Sequence, residues 1–176
     1  MDIKEEFLRI ERELPELLNN LDWGTFRLVP DKGQEVYRIY TFYEGWKIKL
    51  HKLPKCSENE AKLLTHTHDS LLLFKVIKGG LKVSKGTESN YETIPEGEYH
   101  GIFNPPEPHV VWPYEEDTFT YGIIHKGKDY SETPADTLFQ NYPPTLRDRT
   151  NILVDSFFPE KEEILSVVLE YLSKSS

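Results

Sequence analysis

His66-Thr67-His68-Asp69-Ser70-Leu71-Leu72-Leu73-Phe74-Lys75-Val76-Ile77-Lys78-Gly79-Gly80 is the stretch whose reading decides the fold. Two histidines at i and i+2 on a strand project to one face, because successive strand side chains alternate sides. Paired imidazoles on a rigid sheet make half of a metal site. Leu71–Ile77 then reads as a buried strand, Gly79-Gly80 as a turn, and Leu81–Ser84 as the returning strand. A further ligand should follow downstream. His109, in Pro105-Pro106-Glu107-Pro108-His109, is the candidate.

Upstream, Thr25–Val29, Val36–Tyr43 and Trp46–Leu53 are rich in aromatic and β-branched residues, with turns at Pro30-Asp31-Lys32-Gly33 and Glu44-Gly45. Lys47, Lys49 and Lys52 alternate in part with Ile48, Leu50 and Leu53, the pattern of a half-exposed strand. Lys55–Lys62 reads as a polar loop. Downstream, Tyr91–Ile94, Glu98–Phe103, His109–Trp112 and Phe119–His125 make four more short strands. Many short strands between Gly/Pro turns, with no helical period among them, predict an antiparallel sandwich or barrel.

The ends read differently. Ile3, Phe7, Ile10, Leu14, Leu17 and Leu21 form one helical stripe, with Asp2 and Glu5 spaced as a capping box. Pro15 should divide it into two short helices. Residues 127–151 are polar and proline-bearing, a lid or arm over the barrel. Pro159 and Glu160–Glu163 open a C-terminal helix with Ile164, Leu165, Val168 and Leu172 on its apolar face. The expected organisation is one domain: a helical segment over 1–22, a β-barrel over 23–126, and an arm plus helix over 127–176.

Composition narrows the classes of function. The chain has 176 residues and a formal net charge of −9, with its basic residues scattered. Nucleic-acid binding needs a basic stripe, so no nucleic-acid partner is expected. No apolar run approaches the roughly 18–20 residues of a membrane span, so no membrane partner is expected either. Cys56 is the single cysteine, and its polar neighbours place it in an exposed, inert loop. An unpaired cysteine and an acidic start, Met1-Asp2-Ile3-Lys4-Glu5-Glu6, predict a cytoplasmic protein.

His66-Thr67-His68, Gly79, Gly97-Glu98 and the proline turn before His109 together resemble the cupin superfamily. Its first motif runs from a glycine through a His-x-His pair and a glutamate to a closing glycine. Here the histidines and the closing glycine are present. Glu60 stands at the leading glycine and Leu72 at the glutamate. The second motif places a turn glycine, a strand, a proline turn and a third histidine, an order matched by Gly97, Pro105 or Pro106, and His109. A competing register exists: Pro95-Glu96-Gly97-Glu98-Tyr99-His100-Gly101-Ile102-Phe103-Asn104 matches Pro-x-Gly-x-x-His-x-x-x-Asn letter for letter. It leaves too short a stretch after Gly79 for the strands between the motifs, so His109 is preferred.

The resemblance covers roughly residues 35–126 and implies a cupin-type double-stranded β-helix, a jelly-roll barrel with added N- and C-terminal helices. It also implies a divalent metal on His66, His68 and His109. Fe(II) fits best, with Zn, Ni or Mn as alternatives. By parity Asp69 faces away, so the usual carboxylate has no replacement. The three-histidine set resembles that of cupin dioxygenases and implies an oxidoreductase acting on a small chelating organic substrate. His100 and Tyr121 are candidate catalytic groups that would orient a bound anion inside the barrel. A non-catalytic ligand-binding or scaffold barrel is the alternative, and a sugar-derivative isomerase or lyase a second. His51 reads as a surface or supporting residue, His125 equally as a rim residue or a proton carrier, and Tyr99, Trp112 and Tyr114 as packing groups. Leu71 and Leu73 face away from the metal and call for a covering layer, either the terminal helices or a second subunit; a homodimer is expected.

Overall fold

The computed structural model describes residues 2–30, 33–62, 71–85, 91–102, 109–125, 150–154 and 159–175. Helix α1 (Ile3–Asn20) leads into three antiparallel strands, β1 (Gly24–Pro30), β2 (Val36–Tyr43) and β3 (Trp46–Leu53), and a short helix α2 (Glu58–Lys62). Strands β4 (Leu72–Lys78), β5 (Gly80–Lys85), β6 (Tyr91–Pro95), β7 (Tyr99–Ile102), β8 (His109–Pro113) and β9 (Thr118–His125) follow. β10 (Thr150–Val154) and helix α3 (Glu160–Ser175) close the order.

Two sheets form among the described residues. A seven-stranded sheet has the order β10-β1-β2-β3-β9-β4-β7, and a three-stranded sheet the order β6-β5-β8. The chain passes repeatedly between them. β4 and β5 lie in different sheets with only Gly79 between them, and β6 passes to β7, and β8 to β9, in the same way. Three bent ribbons therefore lie side by side, β6–β7 against β4–β5 against β8–β9, paired antiparallel in both sheets. This is jelly-roll architecture: mainly β, with a helix at each end.

The Gly79-Gly80 pair is thus a corner and not the hairpin turn expected from sequence. β5 does not return along β4; it pairs with β6 and β8. Gly79 sits at φ +93, where an L side chain is strained, and a Cβ there would run into the Thr118 hydroxyl. That hydroxyl accepts from Gly80 N–H at 3.1 Å and donates to Gly80 C=O at 3.0 Å, which fixes the corner.

Four other expectations change. α1 continues through Pro15 as one helix, with Asp2 as N-cap accepting from Lys4 N–H at 2.9 Å. The proline costs about 3 kcal/mol, but Ile10, Leu14 and Leu17 on either side of it are buried on one sheet face. Each such burial is worth about 1.5–3 kcal/mol, enough to hold the helix together. Within the expected polar loop, α2 starts on a capping box: Glu60 N–H donates to Ser57 Oγ at 3.2 Å, and Ser57 N–H to Glu60 Oε2 at 3.1 Å. Cys56, expected to be exposed, packs against the cluster of Ala61, Val110 and Trp112. Lastly, Thr150 begins strand β10 on the edge beside β1, where a loop was expected to run to residue 151.

The outer face of the large sheet carries Ile39, Ile48, Leu50, Leu73, Ile77, Phe119, Tyr121 and Ile123. α1 covers it with Phe7, Ile10, Leu14 and Leu17, and α3 with Ile164 and Val168. Leu73 and Leu71 are thereby capped by the chain's own terminal helices, the first of the two covers that the sequence allowed. No described helix is long and apolar enough to cross a membrane. A second core fills part of the space between the sheets, with Phe26, Leu28, Leu72, Phe74, Val76, Leu81 and Val83.

Candidate functional site

Parity along β3 places the site. Trp46, Ile48 and Leu50 belong to the helix-covered core, so Lys47, Lys49, His51 and Leu53 project into the barrel. The half-exposed strand expected from the lysines is therefore corrected: Lys47 is 0% exposed and Lys49 6%. The helices claim the apolar face, which turns the charged face inward. β2 follows the same rule, with Tyr37 and Ile39 toward the helices, and Val36 and Arg38 lining the interior.

A cavity of about 90 Å³ opens there. β2 and β3 supply Arg38, Lys49 and His51, Gln34 precedes β2, β9 supplies Thr120 and Gly122, and β8 supplies His109. Val36, Leu53, Leu72, Phe74 and Leu81 make its apolar wall. Gly122 lets β4 approach β9 closely, since a Cβ there would lie 2.9 Å from Phe74 Cβ. None of the described lining residues is a carboxylate, although the chain as a whole is strongly acidic.

Arg38 is fixed in place. Its Nε–H donates to His51 Nε2 at 2.7 Å, and its guanidinium lies 5.0 Å from the Phe26 ring centroid. Because a guanidinium can only donate, His51 Nε2 must hold a lone pair, which puts the ring proton on Nδ1, 3.4 Å from Thr120 Oγ1. His51 is therefore a wall residue of the cavity rather than a surface group. Burial, and then Arg38, push the Lys47 amine down to about 6. Its Nζ rests 4.7 Å from the Tyr40 ring centroid. Burial, Arg38 and Lys47 hold the Lys49 amine well below its ordinary value.

His109 is 3% exposed and lines the cavity. His100 pairs with Phe74 across β7 and β4, and its ring centroid lies 6.4 Å from that of His109. Both histidines of the competing motif registers thus enter the interior. His66 and His68 lie outside the described residues. Tyr121 does not join the cavity. It stands on the opposite face of β9 from Thr120 and Gly122, donates to Phe7 C=O at 3.2 Å, and stacks on Phe7 with centroids 4.3 Å apart. Burial raises its phenol well above 10, so it is a packing group beneath α1 and not the interior polar group expected. His125 likewise faces Trp46, at 5.1 Å between centroids.

Sequence reasoning missed Arg38, Lys49 and Gln34. Their signal was indirect: Trp46-x-Ile48-x-Leu50 is a fully apolar face, and the stripe of α1 needs such a partner. Matching those two faces would have sent the lysines inward.

Among the described residues no group of three metal-ligating side chains comes together. The described part of the expected donor set still fits a metal: His109 is a buried imidazole on the cavity wall with a second imidazole beside it.

No family model matches the chain, and no curated protein matches it. Solved structures do. Hydroxypropylphosphonic acid epoxidase from S. wedmorenis is 11% identical over 51% of this chain and 50% of its own, with a TM-score of 0.45. DMSP lyase DddQ from Ruegeria pomeroyi is 9% identical over 51% and 42%, with a TM-score of 0.42. A putative sugar phosphate isomerase from Acidithiobacillus ferrooxidans is 15% identical over 52% and 60%, with a TM-score of 0.41. The match spans about half the length of these proteins, and likeness at this level decides nothing about the chemistry of the present chain.

Proposed function

We propose that the protein is a metal-dependent oxidoreductase of the cupin type, dioxygenase-like, that acts on a small chelating organic molecule inside the barrel. The observation that carries this reading is the meeting of His109 and His100 in the interior. His66, His68 and His109 would hold a divalent metal, with Fe(II) fitting best. Such a metal would supply Lewis-acid polarisation and one-electron chemistry. The chain's own part is binding and exclusion of water. The apolar wall of Leu72, Phe74 and Leu81 dries the cavity, which strengthens every electrostatic contact made within it. His100, beside His109, would orient the substrate.

The reading takes the protein as cytoplasmic, with a small molecule as its partner. A homodimer must use a surface other than the sheet face that α1 and α3 cover.

The test is elemental analysis of protein purified without chelator. Divalent metal close to one equivalent is expected, and His109→Ala should release it. Less than about a tenth of an equivalent, unchanged after reconstitution with iron or zinc, would sink the proposal, because a built metal site couples tightly to the fold.

A second reading is favoured by one specific observation. Leu72 lines the cavity where the cupin motif has its carboxylate, and Arg38 and Lys49 share the space. The Arg38 guanidinium is permanently positive and repels a metal cation, which suits a non-catalytic barrel that binds a ligand directly. Saturable ligand binding by protein that never takes up metal is the outcome expected of it.

A further inference from the structure

We propose that the cavity takes a small organic oxyanion, its charged head held by Arg38 and Lys49 on the sheet opposite His109 and by Gln34 just before β2. The inference rests on the reading of the interior as a substrate site, and names the class of molecule that site accepts. Three separate observations converge on it.

Arg38 is a permanent cation held from two sides, by His51 at its edge and Phe26 at its face. Lys49 is almost fully buried, and among the described residues its amine has neither a hydrogen bond nor an ion pair; burial and its basic neighbours, Arg38 and Lys47, disfavour its protonated form until an anion enters. Gln34 is 3% exposed, lines the same cavity, and has a side-chain N–H₂ with no hydrogen-bond partner among the described residues. Buried donors are costly unless something accepts from them. One oxyanion would accept from Lys49 and Gln34 at once, and its charge would be offset by the Arg38 guanidinium beside them.

Every described element around Lys49 agrees. β2 brings Arg38, β3 brings Lys47 and His51, β8 brings His109, and β9 brings Thr120 and Gly122; no carboxylate faces the site from any of them. A volume of about 90 Å³ admits roughly six to nine water-sized spheres, the scale of a ligand of similar heavy-atom number. Val36, Leu53 and Phe74 then require an apolar body of a few carbons behind the head. The ligand class is a short carboxylic acid or an alkyl phosphate or phosphonate.

The experiment uses full-length protein stripped of metal by chelator, its metal content having been measured first. Butyrate, inorganic phosphate and the uncharged isostere butyramide are titrated in by calorimetry at low salt. Saturable binding of at least one anion is expected, with none of butyramide, and the tighter anion identifies the head group. Lys49→Met and Arg38→Met should each weaken binding about tenfold or more, as loss of one charge-assisted contact does. Lys82→Met, outside the cavity lining, should leave it unchanged. Should Arg38→Met fail to fold, Gln34→Met takes its place. Lack of saturable binding by both anions overturns the proposal, as does butyramide binding as tightly as butyrate, or anion affinity that survives Lys49→Met. Anion binding without native metal defeats only the metal reading. Native metal without anion binding defeats only this one.

Discussion

Lys47 shows how far one residue departs from its ordinary chemistry in this barrel. Its amine drops from 10.5 to about 6, because burial disfavours the charged form and Arg38 repels it. Between those two values the unfolded chain holds a proton that the folded chain lacks. The contribution of this group to stability therefore rises as pH rises from about 6 toward 10.5, and is smallest below about 6. Among the groups facing Lys47 are Arg38, Lys49 and the rings of Tyr40 and Phe42. Lys47→Met should raise stability at neutral pH by about 1–3 kcal/mol, because folding no longer has to take an amine out of water. It should also flatten the pH slope across that window. Urea denaturation of both proteins at several pH values measures both effects. An unchanged slope would mean that the amine is already solvated in the fold.

At the scale of elements, the corner at Gly79 is the most sensitive joint. Gly79→Ala combines positive-φ strain with a collision against Thr118, and should cost about 1–3 kcal/mol in chemical denaturation, whereas Gly45→Ala, with open space around its Cβ, should suffer only the backbone strain. The contrast also explains what the sequence could and could not disclose. Strand positions were legible, since Val36–Tyr43, Trp46–Leu53 and Phe119–His125 all form strands within a residue of their expected limits. The route between them was not. A glycine pair between apolar runs reads equally as a hairpin or as a corner, and only pairing with β6 and β8 separates the two. Inside and outside were ambiguous for a related reason. On β3 both faces end up buried, so alternation of lysine with isoleucine marks two interiors and no surface. The interior placement of His109 and His100 was legible because imidazoles are scarce and their motif spacing is distinctive. Arg38 and Lys49 were not, because charged residues on a strand ordinarily mean solvent. β10 was hidden by its polar, proline-rich surroundings.

On the scale of the whole molecule, two helices from opposite ends of the chain are fastened to one sheet and to each other. Tyr171 of α3 donates to Glu11 of α1 at 2.7 Å, Lys52 of β3 pairs with Glu163 of α3 at 2.7 Å, and Trp46 Nε1–H donates to Glu6 of α1 at 3.1 Å. Trp46 lies beneath α1 in the large sheet, whereas Trp112 belongs to the small one. Their fluorescence, read separately in single-tryptophan variants, should therefore report one unfolding midpoint that coincides with circular dichroism; two midpoints would mean that the sheets melt apart. The reason lies in the three bent ribbons, each belonging to both sheets. Neither sheet can be completed while the other is open, so partial assembly gains little before the ends of long loops have met. Folding of this chain should accordingly be slow and late-committing, governed by topology more than by the strength of any single contact.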